Sequence, residues 1–246
     1  MNRNTRVALS CAVLLAAAVS AFAFGSWEEL SGGVVGSGIL ATENRTVPPF
    51  TAIEIEGSGN VVLSQGLFQS VSVESDRNIL PVVTTRVVGN VLYLGFKQGT
   101  RVRNITKLEF RITVQQLTGL GISGSGDVHA VTPLRSNSLS MTIGGSGSIE
   151  AEVDAAALKA DIGGSGSIEV KGRAERLEVE IDGSGGFEGR DLESAAATVQ
   201  ISGSGNAVMN ATETIDIDIS GSGSVRYGGR GKATIHTSGS GTVREL

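Results

Sequence analysis

The chain has 246 residues, of which 35 are Gly and 4 are Pro, and aromatic residues make up only 4%. Glycine without a Gly-X-Y period excludes collagen, and a 40% hydrophobic content with 18% charged residues excludes an intrinsically disordered chain. The formal net charge of −5 argues against a nucleic-acid partner, because contacts with phosphates require a basic surface.

The N-terminal segment 1–23 has the pattern of a secretory signal peptide. Arg3 and Arg6 give a positive start, residues 7–19 form a short apolar stretch, and Ala21-Phe22-Ala23 matches an A-x-A cleavage site. We expect residues 24–32 to follow as a flexible lead-in. The mature chain contains no apolar run near the ~20 residues that a membrane helix needs, so we predict an exported protein without a transmembrane span.

The tripeptide Gly-Ser-Gly recurs along the rest of the chain. It begins at Gly36, Gly57, Gly124, Gly145, Gly164, Gly183, Gly203, Gly221 and Gly239. From Gly124 onward the successive spacings are 21, 19, 19, 20, 18 and 18. A fixed period near 20 is typical of a solenoid, in which each unit buries its apolar face against its neighbours.

Apolar and polar residues alternate on both sides of each tripeptide. Leu158, Ala160 and Ile162 precede Gly164 on the same parity that Ile168 and Val170 continue after it, and polar residues occupy the other parity. This period of two indicates strands with one dry and one wet face. We therefore predict an all-β fold, a single-stranded right-handed parallel β-helix (solenoid) with about 19 residues per coil, the hand following from the rule for parallel crossovers.

The serine of each tripeptide falls on the outward parity, and both glycines fall on the inward parity. If the bends stack in register, the serines form one line along the solenoid, flanked by a few polar residues. This candidate binding ridge consists of Ser58, Ser125, Ser146, Ser165, Ser184, Ser204, Ser222 and Ser240, with Asp127, Asp182 and Asn206 beside it. It could bind a glycan, a flat polymer or a protein; alternatively, small residues are simply what a tight bend admits.

Residues 57–124 contain no internal Gly-Ser-Gly but keep the alternation of strands, as in Val71 and Val73 or Leu92 and Leu94. We interpret residues 33–119 as larger, irregular coils that lead into the regular coils of residues 120–246. A small β-sandwich preceding the solenoid is the alternative.

No catalytic residue, metal ligand set or cofactor motif is predicted. In the Gly-rich repeats that bind Ca²⁺ an Asp is needed where this chain has Ile149 and Ile168, and neither His129 nor His236 has partners at a triad spacing. Outward acids such as Asp161, Glu178, Glu180, Asp182, Asp216 and Asp218 fit a solvated face. Two acids about 5–10 Å apart in one groove would instead favour a carbohydrate-active enzyme, a lyase or glycosidase.

The last coil, residues 233–243, places an apolar layer and unpaired strand edges at the C-terminal end of the solenoid. No amphipathic or charged segment follows to cover this layer. We therefore expect end-to-end self-association through this coil or capping by a partner.

Several segments resemble the opening of head GIN domains and its continuation; this is a bacterial family labelled auto-transporter adhesins. They are Gly36-Ser37-Gly38, Glu43 to Val47, Phe50 to Ile55, Gly57 to Val61, Val71 to Val73, Asn78 to Leu80 and Gly89 to Leu92. The resemblance covers residues 33–246. It implies a right-handed β-helix, export to the periplasm or cell surface, an adhesin-like role toward a protein or glycan of the cell envelope, and no catalytic residues.

Overall fold

The computed structural model describes residues 33–246, in which strands dominate and no α-helix occurs. One 3-10 turn spans Leu80–Val82. The strands are β1 (Val34–Val35), β2 (Leu40–Asn44), β3 (Ala52–Ile55), β4 (Asn60–Gln65), β5 (Ser70–Asp76), β6 (Val83–Val88), β7 (Val91–Phe96), β8 (Val102–Arg103), β9 (Leu108–Val114), β10 (Gly119–Ile122), β11 (Asp127–Ala130), β12 (Leu134–Ile143), β13 (Ser148–Ile162), β14 (Ser167–Ile181), β15 (Gly186–Gly203), β16 (Asn206–Gly221), β17 (Ser224–Gly228), β18 (Lys232–Gly239) and β19 (Thr242–Glu245). The predicted signal peptide (1–23) and lead-in (24–32) lie outside the described residues.

The predicted all-β solenoid is confirmed. The chain winds into a parallel β-solenoid of about 7 turns with roughly 19 residues per turn. The alternation of apolar and polar residues explains why these segments form strands. On β14, for example, Ile168 and Val170 are buried, whereas Glu169 and Lys171 are exposed. Each coil therefore places one parity inside and the other in solvent.

Equivalent residues of successive coils pair directly in parallel register. Leu139 pairs with Leu158, Leu158 with Leu177, and Leu177 with Ala197, so a column of aliphatic side chains runs through the core. These residues are all buried. Each layer is covered only by the coils above and below it, which is why the repeat must be stacked to be stable.

The order of the coils in space differs from their order in sequence. Strand β3 pairs with β10 and β4 with β11, although Ala52 and its partner Gly119 lie far apart in the sequence. On their other side β3 pairs with β7 and β4 with β9, again in parallel. The coil of β3 and β4 thus lies between the coil of β7 and β9 on one side and β10 and β11 on the other. Residues 66–118 follow β4 in sequence but form the end of the stack next to it.

Antiparallel strands occur at this same end. Strand β6 pairs antiparallel with β7, β5 with β9, and β2 with β5. The short strands β1 and β8 form a separate parallel pair. The region from residue 33 to 118 therefore combines two coil layers, β3 with β4 and β7 with β9, with antiparallel strands that cover the outer layer. Every pairing among β10–β19, by contrast, is parallel.

Candidate binding surfaces

From Gly57 onward, each Gly-Ser-Gly tripeptide forms a corner of the solenoid between two strand segments, and backbone hydrogen bonds join each corner to the next. The Ser146 N–H donates to the Gly124 carbonyl at 2.9 Å, and the Ser165 N–H donates to the Gly145 carbonyl at 3.0 Å. The same bond forms at every corner from Ser125 to Ser240. All eight serines of the predicted ridge are exposed. The structure therefore brings them into one line, which we call the corner ridge.

The glycines of the corners are required by the neighbouring coil. A Cβ added at Gly145 would overlap the carbonyl oxygen of Gly124, and one added at Gly166 would lie 2.6 Å from the Ile143 Cγ2. The neighbouring coil therefore excludes any larger residue at these glycine positions. At Gly57 a Cβ would meet nothing within 4 Å, but a φ of +108° favours glycine there.

The polar residues predicted beside the ridge do not come together. Asp127 and Asn206 lie in one column just after the corner, but four coil steps separate them, which is about 19 Å at the usual strand spacing. Asp182 lies on the other side, just before Gly183. Asp127 instead accepts a hydrogen bond from the Ser148 hydroxyl at 2.5 Å.

Acidic residues before the corner surround a single lysine. Lys159 Nζ lies 3.0 Å from Glu178, 3.4 Å from Asp161 and 3.6 Å from Glu180. The hydrogen bond to Glu178, followed by the charge of Asp161, raises the pKa of Lys159. Asp216 and Asp218 continue this face on β16 and are exposed. These acids form a solvated, partly neutralised surface.

A groove of about 510 Å³ lies across the corner ridge from this acidic surface, over the strand segments that follow each corner. Its floor carries Glu150, Glu169 and Glu188, which pair in register on β13, β14 and β15. His129 extends this column, with Nδ1 3.0 Å from a carboxylate oxygen of Glu150. We call this feature the glutamate groove. The sequence carries a signal for it that our prediction does not use, a Glu at the same position after each of three successive corners.

A shallower depression of about 460 Å³ lies over β3, β7 and β10. The guanidinium of Arg86 stacks 4.3 Å from the centroid of the Tyr93 ring and binds Glu56 at 2.8 Å. Glu54 lies across Gly121 of the neighbouring coil, where a Cβ would overlap its carboxylate. Burial is the main cause that raises the pKa of Glu54.

The first tripeptide, Gly36 to Gly38, is not a corner of the solenoid. It wraps around Asp76, which has no solvent-accessible surface. The Gly38 N–H donates to Asp76 Oδ1 at 2.6 Å, and the Thr106 N–H donates to Oδ2 at 2.7 Å. These hydrogen bonds, led by that from Thr106, lower the pKa of Asp76.

Within residues 33–246, no group of three or more His, Cys, Asp or Glu side chains is arranged to hold a metal ion. The same part of the chain has no helix with the length and apolarity to cross a membrane.

A family model described as "Putative auto-transporter adhesin, head GIN domain" matches residues 49–231. No match is found among curated proteins.

Solved structures resemble the chain over nearly all of the solenoid. An adhesin-named protein ("putative adhesin") from Bacteroides fragilis is 27% identical with a TM-score of 0.81, covering 87% of this chain and 100% of its own. A protein of the same description from Parabacteroides distasonis is 26% identical with a TM-score of 0.69, covering 87% and 99%. A second P. distasonis protein, named "Putative lipid binding protein", shares the fold at 23% identity and a TM-score of 0.72, covering 87% and 99%.

Proposed function

The chain belongs to the head GIN domain family, and from that premise we propose that it is an exported, non-catalytic, adhesin-like binding module of the bacterial cell envelope. The observation that carries the proposal is the corner ridge, an uninterrupted line of exposed hydroxyl groups whose backbone is fixed by a hydrogen bond at every step. A fixed surface loses little conformational entropy when a ligand binds. The proposed ligand is a glycan or a protein of the envelope.

Binding is tested with a glycan array and a pull-down from envelope extract. The ridge variant carries Ser146→Lys, Ser165→Lys and Ser184→Lys. Its control carries three lysines at exposed positions off the ridge, namely Asn137→Lys, Gln200→Lys and Thr234→Lys. We expect the ridge variant to lose the ligand that the wild type and the control retain. Equal binding by all three proteins would exclude the ridge.

Export is tested by recovering the protein from a cell of its natural type. We expect it in the periplasmic or surface fraction, with Phe24 as its N-terminal residue. Recovery from the cytoplasmic fraction with residues 1–23 attached would contradict this part of the proposal.

A carbohydrate-active enzyme is the second candidate, and the glutamate groove is the observation that favours it. Glu150, Glu169 and Glu188 stand on neighbouring strands, which are about 4.8 Å apart. Retaining glycosidases use two carboxyl groups about 5 Å apart. Release of reducing ends from an oligosaccharide, abolished by Glu169→Gln, would support the enzyme. We expect no turnover.

We also propose self-association through the C-terminal coil. Strand β18 pairs with β16 alone and β19 with β17 alone among residues 33–246. Ile217, the partner of Ile235 in the preceding coil, is buried, whereas Ile235 itself is 42% exposed. Light scattering is expected to detect dimers at high protein concentration, and Ile235→Lys is expected to abolish them. A wild-type monomer would contradict self-association.

A further inference from the structure

The coils that form the glutamate groove contain extra residues at two places. His129 pairs with Glu150, and Leu134 pairs with Val153. The chain advances five residues from His129 to Leu134 but only three from Glu150 to Val153, so two extra residues lie between His129 and Leu134. Glu169 pairs with Glu188, and Gly172 pairs with Leu192. The chain advances three residues from Glu169 to Gly172 but four from Glu188 to Leu192, so one extra residue follows Glu188. The unequal spacing of the tripeptides thus arises in part from these insertions.

Both insertions line the groove, at its first and its fourth coil. The segments that contain them line the groove with residues 131–133 at one end and residues 190–191 at the other, and two coils without an insertion lie between them. In repeat proteins, insertions within single repeats commonly map to the binding face, and irregularities of strand pairing are over-represented beside functional sites. The groove is therefore bounded along the solenoid by departures from the repeat.

Hydrogen bonds hold both ends in place. At the first, the Gln65 N–H donates to the Thr132 hydroxyl at 2.8 Å. At the second, the Asn210 side-chain amide donates to the Arg190 carbonyl, and the Ser194 hydroxyl donates to the Asn210 carbonyl at 2.5 Å. Ser194 is buried, although its residue type is usually exposed. The ends of the groove are thus preorganised parts of the fold.

The floor of the groove alternates acceptors and donors of hydrogen bonds. Glu150, Glu169 and Glu188 form a column of carboxylates, one from each coil. Two residues further along β14 and β15, Lys171 and Arg190 supply donors, whereas Glu152, the partner of Lys171 on β13, supplies another acceptor. A ligand that matches this floor must both donate and accept hydrogen bonds, repeatedly, along an extended length.

The charges that line the groove are unequal. Five acidic side chains line the groove beside two basic ones. The acidic residues are Glu150, Glu152, Glu169, Glu188 and Asp191, and the basic residues are Lys171 and Arg190. This excess disfavours a ligand that carries carboxylate, sulfate or phosphate groups, because like charges brought together repel.

We propose that the glutamate groove binds an extended oligosaccharide that carries no acidic groups. Sugar hydroxyls donate to the carboxylates and accept from the ammonium and guanidinium groups, and exposed Val131 and Pro133 offer an apolar contact for the C–H face of a ring. The inference rests on the proposed binding function and names its ligand class and a site other than the corner ridge.

A peptide fits this groove less well than a saccharide. Extended peptides bind sheets by adding a strand at an edge, where backbone groups are free. The floor of the groove is a sheet face, and the strands pair in register at Glu150, Glu169 and Glu188. Along this column, recognition depends on side chains.

The test is calorimetric titration of the purified full chain with three defined probes: cellohexaose, which is neutral, a chitosan hexamer, which carries amines, and hexagalacturonate, which is acidic. We expect the neutral or the amino hexasaccharide to bind and the acidic one not to bind. Glu169→Gln and Lys171→Gln are each expected to weaken binding about tenfold, since each removes a charge-assisted hydrogen bond. Glu213→Gln, exposed on β16 outside the groove, is the matched control and is expected to bind as wild type.

Other outcomes separate this inference from the proposed function. Preferential binding of hexagalacturonate would overturn the ligand class. Binding that survives both groove variants but is lost in the ridge variant would overturn the groove as the site and leave the binding function standing. Binding of none of the three probes, together with a ridge-dependent envelope protein, would overturn the saccharide while the binding function holds. No ligand in any assay would contradict both.

Discussion

The two regions of the described chain find partners for their backbone N–H and C=O groups in different ways. In residues 119–246 the same arrangement repeats, since each corner hydrogen-bonds to the equivalent corner of the next coil. Residues 33–118 have no such repeat beyond one coil and contain all the antiparallel pairs, β2–β5, β5–β9 and β6–β7. Buried polar residues other than Ser194 also lie there, namely Ser75 and Asp76.

The contrast teaches what ends a stack of coils. A coil in the middle finds partners for its backbone and its aliphatic layer in its neighbours, so its sequence needs only alternation and small corners. Among residues 33–246, the coil of β7 and β9 stacks on one other coil only, that of β3 and β4, and β5 and β6 pair antiparallel with its other side. The tripeptide of residues 36–38 shows the difference directly, because it binds the carboxylate of Asp76 instead of another tripeptide.

The largest expected effect is a loss of stability on replacing a corner glycine of the regular coils, compared with the same change in the N-terminal region. Gly145→Ala places a Cβ onto the Gly124 carbonyl, whereas Gly57→Ala meets no atom within 4 Å and incurs only the strain of its positive φ. We expect Gly145→Ala to lower the free energy of unfolding by more than about 4 kcal/mol and Gly57→Ala by about 1–2 kcal/mol. Urea unfolding measures both. Ser146→Ala, expected within about 0.5 kcal/mol of wild type, is the control for the corner.

Equal losses at Gly145 and Gly57 would mean that both corners depend on backbone conformation alone. The argument that the neighbouring coil requires the glycine would then fail.

The next effect concerns the N-terminal region alone. Asp76 accepts hydrogen bonds from the Gly38 N–H and from both the N–H and the hydroxyl of Thr106. In Asp76→Asn an amide N–H must face one of these donors, leaving buried polar groups unpaired. We expect a clear fall in the urea midpoint, second to that of Gly145→Ala. Asp154→Asn, an exposed acid in the regular coils, is the control and is expected to leave the midpoint unchanged.

The same carboxylate predicts how acid affects stability. Its pKa in the folded protein is lowered from 3.8 by hydrogen bonds from Thr106 and Gly38. A lowered pKa stabilises the fold above pH 3.8, and this stabilisation is lost as the pH falls through the folded value. Urea midpoints measured down the acidic range should therefore fall more steeply for wild type than for Asp76→Asn. Parallel curves would show that other carboxyl groups control the acid response.

Much of the regular region was predictable because its two signals are local. Alternation identifies the buried parity, and the tripeptide spacing identifies the coil; the pairing of Leu158 with Leu139 and Leu177 follows from both. The N-terminal region was less accessible. Val71 and Val73 alternate on antiparallel β5 as Leu92 and Leu94 do on β7, which pairs in parallel with β3, so alternation alone does not report strand direction.

The candidate sites divide in the same way. The corner ridge depends on one repeated position and could be placed from the sequence. The glutamate groove depends on where the extra residues of two coils fall, and spacings of 21 and 20 among 19 and 18 do not say on which face they lie. Only the pairing of Leu134 with Val153 and of Gly172 with Leu192 places them beside the glutamates.

The smallest expected effect compares an ion cluster from each region. Lys107 lies 2.7 Å from Glu74 and 3.2 Å from Glu109 in the N-terminal region, and Lys159 has the same role among Glu178 and Asp161 in the regular coils. All these pairs are in contact with solvent, which screens them and offsets most of their attraction. We expect Lys107→Gln and Lys159→Gln to lower the urea midpoint slightly at low salt, and the difference from wild type to vanish at roughly 1 M NaCl, where screening acts within about 3 Å. A loss for Lys107→Gln that persists in salt would mean that this lysine packs as part of the N-terminal cover, and the contrast between the two regions would then extend from the buried Asp76 to their surfaces.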